Sequence, residues 1–265
     1  MRYSITLCYN GSGFCGWQSQ PDVATVQDTL EDCLSKLLHS AIAVTGAGRT
    51  DTEVNAIGYV AHFDSPEMVD TAQLGYKLNA ILPPSIVVLD VQEADENFHA
   101  RFGASSREYT YFLHRRKDPF YRQFSYQCGY NLDFDAMNKA AEFLLGTHDF
   151  RCFQKVGADN KTSICTVTQA GWHTFTPSHC SIMNFPASEG DYWYFRITAD
   201  RFLRNMVRAV VGSLLDVGRG KRSIDDFARL ILPETAEPGT GSLLSRSDAG
   251  ESVPGHALFL SRVDY

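Results

Sequence analysis

The stretch Glu108-Tyr109-Thr110-Tyr111-Phe112-Leu113-His114 decides how this chain is read, because it restarts a rhythm that the residues before it have already completed. It reads as a strand, and so does 2–9, whose side chains alternate in character as a half-buried strand requires. Between them, 25–38 places Val26, Leu30, Cys33, Leu34, Leu37 and Leu38 on one helical face, with Thr25 as a cap and Asp28 three residues on. Strands are predicted at 41–45 and 55–63, a helix at 71–82 stopped by Pro83-Pro84, and a buried strand at 86–91. After 105 the order recurs. Strands are predicted at 108–114 and 124–130, a helix at 133–145 ended by Gly146, and strands at 163–172 and 192–198. The longest helical pattern covers 202–217; a shorter helix at 223–232 precedes Pro233, 238–255 reads as a surface loop, and 257–260 as a last strand. Two α+β halves, 1–105 and 106–265, predict a pseudo-duplicated architecture with a cleft where the halves meet.

The chain of 265 residues is 44% hydrophobic, 21% charged and 12% aromatic, which excludes disordered, collagenous and coiled-coil classes. No apolar run approaches the roughly 20 residues of a membrane helix. Met1-Arg2-Tyr3-Ser4 leads into an alternating segment rather than an apolar signal core, so a cytoplasmic protein without a membrane partner is expected. Seven scattered cysteines without a CxxC pair argue against both a disulfide framework and a zinc site. His173, His179 and Cys180 come nearest to a ligand set and lack the short paired spacing that zinc sites use.

A net charge of −7 argues at face value against a polyanionic partner. Its distribution reverses that reading. Segment 101–122 holds six basic residues against two acidic ones, and 196–222 holds seven against two, so these segments carry +9 and the rest of the chain −16. Concentrated positive charge on an acidic body suits an anionic ligand approached by one face.

Two places draw attention as chemistry. Gly46-Ala47-Gly48-Arg49-Thr50-Asp51 is glycine-rich but fits neither phosphate-loop template, and a strand, not a helix, is predicted after it. In extended backbone Arg49 and Asp51 point the same way, offering a phosphate-seeking cation beside a nucleophilic carboxylate. In the predicted 202–217 helix, Leu203, Met206, Val207, Val210, Val211 and Leu214 form a buried stripe flanked by Arg201, Arg204 and Arg208. Cations near a helix N-terminus oppose its dipole by about 0.3–1 kcal/mol each, a cost that an anionic partner would explain.

Seven motifs occur in order: Gly16-Trp17-Gln18 with Thr25-Val26-Gln27; Gly46 to Asp51; Leu78-Asn79 with Leu82-Pro83; Phe98-His99-Ala100-Arg101-Phe102; Arg107-Glu108-Tyr109-Thr110-Tyr111; Gly146-Thr147-His148-Asp149-Phe150; and Phe202-Leu203-Arg204-Asn205-Met206-Val207-Arg208. Together they resemble the tRNA pseudouridine synthase A family over almost the whole chain. The resemblance implies the pseudouridine synthase fold, with two ferredoxin-like halves sharing a continuous antiparallel sheet and a central cleft. It implies isomerisation of uridines at tRNA positions 38, 39 and 40, in the anticodon stem-loop, by a homodimer. It also implies that Asp51 is the catalytic nucleophile, that Tyr109 stacks on the flipped-out base, that Arg208 pairs with the catalytic carboxylate, and that Arg49 holds the nucleotide; Arg204, in the same basic motif, is a further substrate-binding candidate. No cofactor or metal is expected, since the isomerisation is redox-neutral and hydrolyses nothing.

The chemistry agrees with these assignments. Breaking a C–N glycosidic bond develops an electron-poor centre that a held carboxylate can attack or stabilise. An aromatic face returns about 1–3 kcal/mol of stacking to a base taken out of its helix. The chain departs from the family pattern where Glu53 replaces a glycine and Asn55 a histidine, and again across 250–258. If 51–53 is extended, Glu53 shares a face with Asp51, adding like charge there. A catalytically weakened RNA-binding relative is the alternative reading. A glycosidase using Asp51 with Glu53 is disfavoured, because strand neighbours two residues apart cannot flank a bond from opposite sides.

Overall fold

The computed structural model describes residues 1–157, 161–231 and 244–265. They form two compact units, one of Met1–Arg107 with Phe259–Tyr265 and one of Glu108–Leu258, so the closing seven residues return to the first unit.

In the first unit, strands β1 (Arg2–Tyr9), β2 (Val44–Gly46), β3 (Asn55–Asp64) and β4 (Ile86–Ala94) are joined by helices α1 (Val26–Leu38) and α2 (Thr71–Ile81). β1 lies between β3 and β4 and is antiparallel to both, and β2 adds antiparallel to β3. Strict alternation puts Tyr3, Ile5, Leu7 and Tyr9 of β1 inward. Val26, Leu30, Cys33 and Leu34 supply the buried stripe of α1, and the Thr25 side chain accepts from the Asp28 N–H as its sequence position predicts. Asn79 of α2 both donates to the Val88 carbonyl and accepts from the Val88 N–H at 2.8 Å, fastening the helix to β4. Helix α2 ends as Leu82 donates to the Leu78 carbonyl just before the two prolines.

The second unit holds β5 (Ser106–His114, beginning at the unit boundary), β6 (Tyr126–Gln127), α3 (Phe134–Glu142), β7 (Gly146–Asp149), β8 (Ile164–Thr174), α4 (Ser178–Ser181), β9 (Tyr192–Ala199), α5 (Met206–Gly218) and α6 (Ile224–Ala228). Its strand order is β5-β9-β8-β7, with β6 against β5. The apolar stripe of α3, Phe134, Met137, Ala140 and Ala141, is buried, and Gly218 of α5 comes so near that an added Cβ would lie 2.3 Å from the Met137 sulfur. The last strand, β10 (Leu258–Asp264), pairs with β3.

Several sequence expectations are corrected. The strand pairing is mixed rather than antiparallel: β10 runs parallel to β3, and β6 parallel to β5. Neither pair is a hairpin, and only a tight hairpin forces neighbours to run in opposite directions. The expected strands at 41–45 and 124–130 shrink to Val44–Gly46 and Tyr126–Gln127. The helix expected to run to Gly146 ends at Glu142, and Gly146, at φ 102°, instead opens the unforeseen strand β7. The helix expected from 202 starts at Met206, because Asn205 at φ 66° is left-handed and cannot continue a helical run. Part of the expected 223–232 helix and of the 238–255 loop lies outside the described residues. His179, considered as a metal ligand, spends Nε2 on Asp118 Oδ2 at 2.7 Å, where the Tyr192 hydroxyl also donates at 2.7 Å. Burial alone would raise the Asp118 carboxyl, but these bonds and one from the Phe120 N–H hold it below its ordinary range.

Candidate active site

Asp51 is half-buried at the start of a turn closed by the Val54 N–H donating to the Asp51 carbonyl at 3.1 Å. Glu53, the third residue of that turn, has φ 65°. That is the position and conformation that glycine fills in a type II turn. Asp51 and Glu53 are therefore not extended neighbours on one face, and the sequence expectation of a shared face is overturned. Glu53 is exposed and its side chain makes no hydrogen bond or ion pair among the described residues.

A second loop grips the turn from outside. The Trp17 N–H donates to the Thr50 carbonyl at 3.3 Å and the Glu53 N–H to the Phe14 carbonyl at 3.3 Å. Gly11 accepts this closeness, since a Cβ there would lie 2.3 Å from the Val54 carbonyl oxygen. Asn55 is 1% exposed and its Oδ1 accepts from the Gly11 N–H at 2.9 Å. Asn55 thus fastens the second loop to the start of β3.

Aromatic side chains complete the support. Trp17 stacks on Tyr59 with centroids 4.1 Å apart, and the Tyr59 hydroxyl donates to the Gly48 carbonyl. A Cβ on Gly46 would run into both rings. The Tyr9 hydroxyl meets Thr50 Oγ1 at 2.9 Å. Thr50 is buried while Arg49 on one side is exposed and Asp51 on the other half-exposed, so the inward threonine turns its neighbours outward. Arg49 Nε donates to Gln18 Oε1 at 3.3 Å and makes no ion pair among the described residues, leaving its charge available. Gln27 donates to Glu31 and to the Val44 carbonyl, fixing α1 against β2. Arg107 donates to the Ala47 carbonyl at 3.1 Å and to the Ala104 carbonyl at 3.0 Å, so this basic residue braces the glycine-rich loop. Sequence reasoning missed Tyr9, Tyr59 and Thr50 as supports, and buried polar atoms at loop contacts leave no period to find.

The second unit carries the other candidates. Tyr109 is 9% exposed, and its ring meets Phe202 edge-on at 5.0 Å. Arg204 lies in the turn before α5, exposed and without an ion pair among the described residues. Arg208 is the third residue of α5 and donates from Nε to the Val253 carbonyl at 2.7 Å, while the Val253 N–H returns a bond to the Arg208 carbonyl at 3.2 Å. Of the three arginines expected along one helix flank, only Arg208 is helical. Arg201 and Arg204 precede the break at Asn205, whose side chain donates to Ser252 Oγ at 2.6 Å. Tyr111 is fully buried near Arg208; burial drives its phenol well above the usual range, and its hydroxyl has no partner among the described residues.

Glu53→Gly is expected to stabilise the protein by about 0.5–1 kcal/mol, because relief of the left-handed strain exceeds the added freedom of the unfolded chain. Calorimetry should show a melting temperature raised by about 1–4 °C. A lowered melting temperature would mean that the carboxylate holds the turn.

The first unit carries a braced acidic turn and the second Arg204, Arg208 and an aromatic pair, side chains suited to an α+β enzyme whose substrate is anionic and bears a base. Comparison with known proteins sharpens this. A family model described as tRNA pseudouridine synthase matches residues 140–265. The chain is 44% identical to tRNA pseudouridine synthase A of Parabacteroides distasonis, over 100% of its own length and 96% of that protein. It is 42% identical to the Bacteroides thetaiotaomicron protein of the same name, covering 90% of it, and 38% identical to the Bacillus subtilis one, covering 99%. The chain belongs to the tRNA pseudouridine synthase A family, a family of isomerases.

Proposed function

We propose that this enzyme isomerises uridine to pseudouridine in tRNA, at positions 38, 39 and 40 of the anticodon stem-loop, with Asp51 as nucleophile. The observation that carries the reading is full-length similarity to synthases of that name, supported by the bracing of the Asp51 turn by Trp17, Tyr9 and Tyr59. The reaction breaks the N1–C1′ bond of uridine, turns the uracil and joins C5 to C1′; the proton on C5 leaves and N1 gains one, so nothing is oxidised or hydrolysed. The Asp51 carboxylate attacks as the glycosidic bond gives way. Arg208 favours its charged form, Tyr109 with Phe202 offers an aromatic surface to the flipped uracil, and exposed Arg49 and Arg204 take phosphates. We place the enzyme in the cytoplasm as a homodimer whose basic faces share one tRNA. Among the described residues no helix is long and apolar enough to cross a membrane.

The test is to incubate the protein with unmodified tRNA transcripts and map pseudouridine by position; formation at 38–40 supports the reading, and no pseudouridine in any transcript overturns it. Salt gives a second check. Affinity for tRNA should fall at least about tenfold between roughly 50 mM and 200 mM salt despite the negative total charge. A flat profile in filter binding would mean that the basic segments do not meet phosphates.

A further inference from the structure

The two basic segments of the sequence converge on one patch of the second unit, away from Arg208. The Arg219 guanidinium, at the C-terminal cap of α5, lies 3.7 Å from the centroid of the Tyr130 ring. Arg115 reaches the same place, donating to Asn131 Oδ1 at 3.3 Å. Burial pushes the Cys128 thiol up, and a bond from the Tyr130 backbone with the charges of Arg219 and Arg115 pulls it back. Lys221 adds an exposed ammonium beyond Gly220, whose φ of 68° turns the chain at the helix end.

The patch is open in the way a ligand surface is. Tyr130 is 54% exposed although one face is taken by Arg219. Neither Arg219 nor Lys221 makes an ion pair among the described residues. Two neighbouring carboxylates are engaged elsewhere: Asp133 caps α3 through the Ala136 N–H, and Asp191 takes Arg116 and the Ser188 N–H. Glu251, which like Arg219 acts on Tyr126, is an acidic group that faces the patch's edge. A guanidinium stacked on a ring uses its face for the stack and keeps its in-plane N–H donors for phosphate. Arg219 lies eleven positions beyond Arg208, about 16 Å along the helix axis.

We propose that Tyr130, Arg219, Arg115 and Lys221 form a second RNA-binding platform that grips the tRNA backbone several nucleotides from the isomerised uridine. The proposal rests on the tRNA reading given above and adds where the rest of the substrate is held. RNA is favoured over an acidic protein because the cations flank an exposed aromatic ring, the pairing that serves phosphate and base together.

The experiment measures binding of an unmodified tRNA transcript by wild type, Arg219→Ala, Arg219→Gln, Lys221→Ala and, as a control of equal charge change, Lys36→Ala on α1, whose ammonium pairs with Asp32. Arg219→Ala and Arg219→Gln should each weaken tRNA binding about 5–20-fold, and each should lower the slope of log affinity against log salt by about 1. Lys221→Ala should do the same to a lesser degree, and Lys36→Ala should leave both quantities unchanged. Arg219→Gln keeps the stem of the side chain, so it decides the matter if the alanine variant melts early. Affinities of the Arg219 variants within twofold of wild type, or an equal loss from Lys36→Ala, overturn the platform. So does displacement of tRNA by polyglutamate as effectively as by unlabelled tRNA. Wild type that neither binds nor modifies any tRNA overturns the functional reading itself, a result distinct from the failure of the Arg219 variants to differ.

Discussion

Asp51→Asn should abolish pseudouridine formation, by at least about 10⁴-fold in turnover, while tRNA affinity stays within a few-fold of wild type. The loss is that large because a carboxamide lacks the electron density to form the covalent link, and removal of a nucleophile takes away the step and not merely one contact to it. Affinity survives because phosphate contacts, which dominate RNA binding, come from cations and not from Asp51. The fold survives because the turn is held by backbone and by neighbours: the Val54 N–H bonds the Asp51 carbonyl, and Thr50 is tied to Tyr9. Single-turnover release of tritium from C5-labelled tRNA, with filter binding and thermal melting of the same variant, makes the three readouts independent. Residual turnover within tenfold of wild type would remove Asp51 from its role, and an unfolded variant would show that the side chain holds the loop.

How much of this was legible beforehand depends on the kind of signal. Elements with one continuous periodicity read out nearly to the residue: 2–9 as a strand, 55–63 and 108–114 as strands one or two residues short, and 25–38 as a helix with its cap. Two of the errors fall where a single residue adopts a left-handed backbone. Asn205 delays α5 and Glu53 folds what looked like strand into a turn; asparagine is among the residues that favour that conformation but does not require it, and glutamate gives no sign of it. The parallel pairing of β10 with β3 was out of reach for another reason, since register between segments two hundred residues apart leaves no local trace. Several residues of the motifs work as braces: Asn79 pins β4, Arg107 holds the Ala47 carbonyl, and the Ala100 N–H donates to His62 Nδ1. Motif membership therefore points to a site without separating the groups that react from those that hold them.

Gly16→Ala should cost the protein about 2–4 kcal/mol and most of its activity, and its neighbour Gly13 supplies the control that isolates the cause. Both glycines have positive φ, 89° at Gly16 and 85° at Gly13, so alanine at either place incurs a left-handed cost of about 1–2 kcal/mol. The surroundings differ. A Cβ at Gly13 would meet nothing within 4 Å, whereas one at Gly16 would lie 2.3 Å from the Thr50 carbonyl oxygen and 3.1 Å from the Asp51 carbonyl carbon. Those are backbone atoms of the turn that carries Asp51, and they can yield only by moving Asp51 or by breaking the bonds from Trp17 N–H to Thr50 and from Val26 N–H to Gly16. A displacement near 1 Å at a reacting group costs on the order of 100-fold in rate. Gly13→Ala should therefore melt a few degrees lower with near-normal turnover, and Gly16→Ala should melt lower still with turnover down by at least tenfold at temperatures where it remains folded. Equal turnover in the two variants would show that the close approach of Gly16 to Thr50 does not set the position of Asp51.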